Sequence, residues 1–66
     1  MPYVNIKVTN ESVTREQKAR LIKGVTDLLH TVLDKDPETT YVVIDEVNLT
    51  NWGVGGLNVE EYRNRT

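Results

Sequence analysis

Hydrophobic and polar positions alternate strictly from Tyr3 to Val8, with Val4, Ile6 and Val8 on one side and Tyr3, Asn5 and Lys7 on the other. That is the period of a half-buried strand. A polar stretch, Thr9 to Ser12, interrupts it. Thr14 and Gln17 then make a capping box, in which each side chain satisfies an unpaired amide at a helix start near Arg15. Leu21, Ile22, Val25, Leu28, Leu29, Val32 and Leu33 follow at steps of one, three or four, so they form one stripe that must cover a sheet. Glu16 and Arg20 stand four apart in the favourable order for an exposed ion pair. Pro37, after Asp34, Lys35 and Asp36, ends the helix near Asp34.

Thr39 to Val47 is rich in threonine and β-branched residues, with Tyr41, Val42, Val43 and Ile44 nearly continuous in apolar character, which predicts a central strand. Two strands around one helix predict a right-handed β-α-β unit with parallel strands. Three of the four glycines fall in Trp52-Gly53-Val54-Gly55-Gly56, so Asn48 to Thr66 reads as turn and short hairpin ending in a charged tail. The expected class is α+β. One helix covers one face of such a sheet, leaving Tyr3, Tyr41, Val43 and Val47 to face water unless another copy buries them. Pairing sheets edge to edge is the simplest symmetric solution.

Composition sharpens the need for a partner. The 66 residues, 38% hydrophobic and 27% charged, make a single domain over residues 1–66. A domain this small buries only about 60% of the surface its unfolded chain exposes, and the absence of cysteine rules out disulfides as compensation. It also removes thiol nucleophiles and thiolate metal sites. Net charge is −2, with both signs mixed along the chain, which argues against nucleic acid as a partner. No basic leader precedes an apolar run, and no stretch approaches the roughly 20 apolar residues that span a bilayer; the expected location is cytoplasmic. The sequons at Asn10 and Asn48 are read as chance.

The usual catalytic arrangements fail one by one. The single histidine, His30, lies mid-helix and reads as a surface or interface residue, which leaves no Ser-His-Asp set and no zinc site. Asp34-Lys35-Asp36 lacks the glycine and distal glutamate of a calcium loop. The glycine cluster does not have the GxGxxG spacing of a phosphate cradle. Asp45 and Glu46 are strand neighbours and point to opposite faces, so they cannot cooperate as acid and base. What remains is Met1-Pro2 directly before a strand. A small second residue such as proline permits removal of the initiator methionine, leaving a secondary amine at the tip of a rigid element. An α-amino group titrates at about 7.7 to 8.0, and an apolar site would lower that further, towards the value suited to general base catalysis.

Four segments carry a family likeness: Pro2-Tyr3-Val4-Asn5-Ile6, Thr14-Arg15-Glu16-Gln17-Lys18, Val42-Val43-Ile44-Asp45-Glu46-Val47 and Trp52-Gly53-Val54-Gly55-Gly56. In this order and spacing the chain resembles the 4-oxalocrotonate tautomerase family over nearly its whole length. The resemblance implies a β-α-β protomer with a carboxy-terminal hairpin, assembled through dimers into a homohexamer with active sites near subunit boundaries. It implies Pro2 as the catalytic base, moving a proton on a small conjugated oxo compound without metal or organic cofactor. It also implies an aromatic residue that keeps the site apolar, here Trp52. The two arginines that bind dicarboxylate substrates in the namesake enzymes fall at Val13 and Tyr41, so the chain is a divergent member. Tyr41 and Asn51 are the expected hydrogen-bond donors to substrate, and a mono-carboxylate or neutral enol is the expected substrate class. Lys7, Arg63 and Arg65 are possible sources of positive charge from another subunit. Two alternatives stay open. One is a hydratase or dehalogenase using protonated Pro2, with Glu11 as a loose candidate for activating water; the other is a non-catalytic oligomeric binding module.

Overall fold

A computed structural model describes residues 1–65. Thr66, the last residue of the expected charged tail, lies outside the described residues. The first strand, β1, spans Tyr3–Thr9, one residue beyond the alternating stretch. Helix α1 spans Arg15–Leu33 and starts on the expected capping box, Thr14 accepting from the Gln17 amide while the Gln17 side chain accepts from the Thr14 amide. Asp34 ends it in the left-handed conformation (φ 53°) with its N–H bonded to the His30 carbonyl, so the stop comes three residues before Pro37.

Strand β2 spans Tyr41–Val47, two residues shorter at its start than the β-branched stretch predicts. The reason is local. Pro37–Thr39 forms a 3-10 turn, because the Asp36 carboxylate accepts from the Glu38 N–H and the Asp36 carbonyl draws the hydroxyls of Thr39 and Thr40. Side chains that bond nearby backbone in this way compete with strand formation. Strands β1 and β2 pair in parallel, from Tyr3 opposite Tyr41 to Thr9 opposite Val47.

A second 3-10 turn, Leu49–Asn51, leads into a hairpin of β3 (Gly53–Val54) and β4 (Leu57–Asn58). Gly55 and Gly56 make its two-residue turn with φ of 62° and 84°, the left-handed pair that the tightest hairpins require. The expected charged tail is instead a helix, α2, over Val59–Asn64. Asn58 caps it by accepting the Glu61 N–H, with Glu60 and Glu61 in its first turn, where acids favour a helix start.

Burial is shallow. Val59 is the one hydrophobic residue classed as buried among those described, at 8% exposure. Of the helix stripe, Val25 and Leu29 are half-buried, whereas Leu28, Val32 and Leu33 remain exposed. Tyr3, Tyr41 and Val43 are exposed on the opposite sheet face as expected, but Val47 is half-buried at the strand end where its carbonyl accepts the Asn10 N–H at 2.7 Å. The radius of gyration is 15.3 Å, against about 11 Å for a compact chain of this length. The accessible surface of 5191 Å² likewise exceeds the roughly 4,200 Å² expected of a compact monomer of this mass. The protomer is elongated, 47 × 23 × 16 Å, with unpartnered apolar faces. No helix is long and apolar enough to cross a membrane among the described residues.

Gly55 is the most constrained point of the hairpin. A Cβ there would stand 3.2 Å from the Tyr62 ring, in addition to the left-handed backbone cost. Gly55→Ala is therefore expected to destabilise the protein by about 1–2 kcal/mol, read as a lowered urea midpoint at fixed protein concentration.

Candidate active site

Pro2 is half-buried at the head of β1. Its carbonyl accepts the Tyr41 N–H at 3.0 Å, which extends the parallel ladder by one bond and ties Pro2 to the start of β2. Met1 projects into solvent at 82% exposure, so the bond between Met1 and Pro2 sits at an accessible chain end. The Tyr3 and Tyr41 side chains are 65% and 54% exposed at this end of the sheet.

Asn51 and Trp52 lie elsewhere. Asn48 caps the turn that carries Asn51, and the Asn51 N–H bonds the Asn48 carbonyl at 2.8 Å. Trp52 is half-buried and held on both sides, its N–H on the Leu49 carbonyl at 3.3 Å and its carbonyl accepting the Val59 N–H at 2.7 Å. Both residues follow the far end of β2, and six strand steps of about 3.3 Å separate the two ends by about 20 Å. A protomer thus brings Pro2 and Tyr41 together and keeps Asn51 and Trp52 apart from them.

Charged residues on the sheet are already engaged. Asp45 lies on the open face and accepts from Lys7 at 2.8 Å and Asn5 at 2.9 Å; the Lys7 bond, seconded by Asn5, holds its carboxyl below the ordinary value and raises that of Lys7. Glu46 pairs with Lys18 of α1 on the other face, so the two neighbours do point apart as their alternation requires. His30 is bonded through Nδ1 to the Lys35 carbonyl at 3.2 Å, a helix-end contact. No cluster of metal-ligating side chains occurs among the described residues. The expected Glu16–Arg20 pair is not among the ion pairs of those residues; α1 instead pairs Lys23 with Asp27.

Glu11 is clasped by Arg63 of α2, with the Thr9 hydroxyl as a further donor. The Arg63 and Thr9 bonds hold its carboxyl at about 2, against an ordinary 4.5. A carboxylate so stabilised is a poor base, and it stands at the end of β1 remote from Pro2. Within one protomer, then, Glu11 is engaged by Arg63 and Thr9 and does not reach Pro2, and Arg63 is occupied there as well. The clasp joins residues 52 positions apart, with no local signal to announce it; α2, by contrast, was foreshadowed by Asn58 followed three residues later by Glu61. Val13 is half-buried and lines an open hollow with Gln17, Arg20 and Leu21.

Comparison with known proteins gives a consistent result. The family model described as "Tautomerase enzyme" matches residues 2–62. The chain is 57% identical over 63 residues to probable tautomerase K2 of Dickeya dadantii, covering 96% of this chain and 94% of that protein. It is similar to the crystal structure of DmpI from Helicobacter pylori, with a TM-score of 0.89, 43% identity and coverage of 98% and 100%. It is also similar to a heterohexamer 4-oxalocrotonate tautomerase from Chloroflexus aurantiacus, with a TM-score of 0.82, 30% identity and coverage of 92% and 97%.

The clasp makes a pH prediction. Because the Glu11 carboxyl is depressed on folding, its contribution is complete above the ordinary 4.5 and disappears as pH falls towards about 2, following proton linkage. The difference in melting temperature between the native chain and Glu11→Gln should be constant above about pH 5 and vanish towards pH 2. Fluorescence of Trp52, the single tryptophan, follows both melts.

Proposed function

We propose, since this chain belongs to the tautomerase family, that it moves a proton on a small conjugated oxo or enol compound with the amino-terminal nitrogen of Pro2 as the general base after removal of Met1. Tautomerase-type isomerisation is the family's chemistry; the base, donors and substrate class are the finer reading. The observation that carries it is the placement of Pro2, half-buried at a strand head and anchored through its carbonyl to Tyr41. That bond fixes the ring without using the nitrogen.

In this reading the neutral amine takes a proton from a carbon or enol oxygen next to a carbonyl and returns it elsewhere on the conjugated system. The nitrogen passes from secondary amine to its ammonium and back as the proton is taken and returned, so no covalent intermediate is needed. A dry, apolar site disfavours the charged form and draws the amine's titration towards neutrality. Tyr3 and Tyr41 supply such surroundings from the same protomer, and Trp52 supplies them from another copy. Tyr41 and Asn51 are the donors that would meet negative charge developing on the carbonyl oxygen. The shuttle calls on neither metal nor organic cofactor.

Assembly follows from the same reading. The separation of Pro2 from Trp52 leaves each protomer with an incomplete site, and relatives include a heterohexamer. A homohexamer built as a trimer of dimers, in the cytoplasm, is the proposed form. With Val13 and Tyr41 at the positions of the absent arginines, a substrate's second carboxylate finds no cation there. Mono-carboxylates or neutral enols are the proposed class.

Pro2→Ala should lose ketonisation activity by about 10²–10⁴-fold while keeping its assembly, and the intact mass of the native chain should lack Met1. Retention of Met1, or full activity in Pro2→Ala, overturns the base. The native enzyme should ketonise a mono-carboxylate enol faster than the corresponding dicarboxylate; the reverse order overturns the substrate class.

A further inference from the structure

The hollow beside the first turns of α1 is equipped for an anion. Its volume of about 490 Å³ falls within the roughly 300–1,000 Å³ of small-molecule sites. Val13, half-buried, and Leu21, 39% exposed, give it apolar lining. Gln17 and Arg20, neighbours one helical turn apart, complete that lining, and neither brings negative charge.

Both polar groups offer donors. The Gln17 side-chain oxygen already accepts the Thr14 N–H at 2.9 Å, so the NH₂ is the end of the amide left for another group. Arg20 takes part in no ion pair among the described residues, although Glu16 stands one turn before it. The cations around it are committed: Lys18 to Glu46, Lys23 to Asp27 and Arg63 to Glu11. An unpaired guanidinium with an amide donor beside it matches a carboxylate, whose two oxygens fit the guanidinium's parallel N–H bonds. Val13 and Leu21 match a short hydrocarbon body.

The hollow also lies at the relevant end of the protomer. Lys18 reaches Glu46, the last residue but one of β2, so the first turns of α1 stand at the end of the sheet beyond which Asn51 and Trp52 follow. Arg20 therefore belongs to the half of the site that the assembly reading has one copy lend to another's Pro2.

We infer that Arg20, seconded by the Gln17 amide, is the carboxylate-binding residue of this chain, holding a small mono-carboxylate substrate whose hydrocarbon part lies on Val13 and Leu21. The inference rests on the tautomerase reading above and narrows its substrate class from mono-carboxylates or neutral enols to mono-carboxylates. One cation in the hollow suits one carboxylate.

Kinetics of a mono-carboxylate enol and of its methyl ester separate charge from shape. Arg20→Gln should raise KM for the acid about 10–100-fold, with kcat within about threefold, and leave the ester's KM unchanged. Arg20→Lys keeps the charge without the planar fork and should fall between the two. Gln17→Glu retains the capping box but places a carboxylate in the hollow, so it should weaken the acid alone, on the order of tenfold. A binding arm needs no turnover. Pentanoate should shift the side-chain N–H resonances of Arg20 and Gln17 in the native chain and in Pro2→Ala alike, and bind about tenfold or more weakly to Arg20→Gln; pentanamide should shift neither. Equal effects of Arg20→Gln on acid and ester, an acid KM within about twofold of native, or pentanoate that leaves both resonances in place overturns the assignment. Pentanoate binding that depends on Arg20, together with full activity in Pro2→Ala, upholds the site and counts against the base alone.

Discussion

The structure depends on a shortage of interior. A two-stranded sheet with one helix has two faces and the helix covers one, so no rearrangement of 66 residues can hide Tyr3, Tyr41 and Val43 together with the flank of α1. Hydrophobic burial is the dominant favourable term in folding, and this protomer leaves much of it unused. Its high radius of gyration and excess surface are the geometric signature of that debt. Specific backbone bonds compensate locally: the capping box of α1, the 3-10 turns closed by Asp36 and Asn48, and the Asn58 cap of α2. They define the shape without providing a core.

The same incompleteness reaches the site. Parallel pairing puts the start of β1 beside the start of β2, which is why Pro2 and Tyr41 meet through a backbone bond. It also sends the chain out at the opposite end, which is why Asn51 and Trp52 are remote. Under the proposed mechanism Pro2 takes its apolar wall from a neighbour, because Trp52 of the same chain lies about 20 Å away beyond the other end of the sheet. Stability and catalysis then share one requirement. The Glu11–Arg63 clasp belongs to this arrangement, since it ties α2, and through Val59 the Trp52 backbone, to the loop after β1. Exposed ion pairs contribute little singly; its bidentate form and the Thr9 donor give this one geometric definition.

Much of the fold was legible because its signals are local. Alternation gave β1, spacing and a capping box gave α1, and a glycine pair gave the hairpin turn. The misses have physical causes as well. Thr39 favours a strand by propensity, yet Asp36 captures its hydroxyl and the turn wins. The tail was judged by its charges, although Asn58 and Glu61 carried the cap of α2. The hollow beside Val13 and the clasp at Glu11 depend on contacts between distant segments, and no periodicity encodes them. For the candidate site, the sequence nominates Pro2, Tyr41, Asn51 and Trp52 but not their separation, because the distance from Pro2 to Trp52 follows from parallel topology.

Under the proposed function, the incomplete protomer is active only in the assembly. The most direct test measures sedimenting mass and specific activity on the same samples across a dilution series. The account predicts that activity per chain falls over the concentration range in which the assembly dissociates, and recovers on reconcentration. Monomers that keep full activity per chain would contradict it.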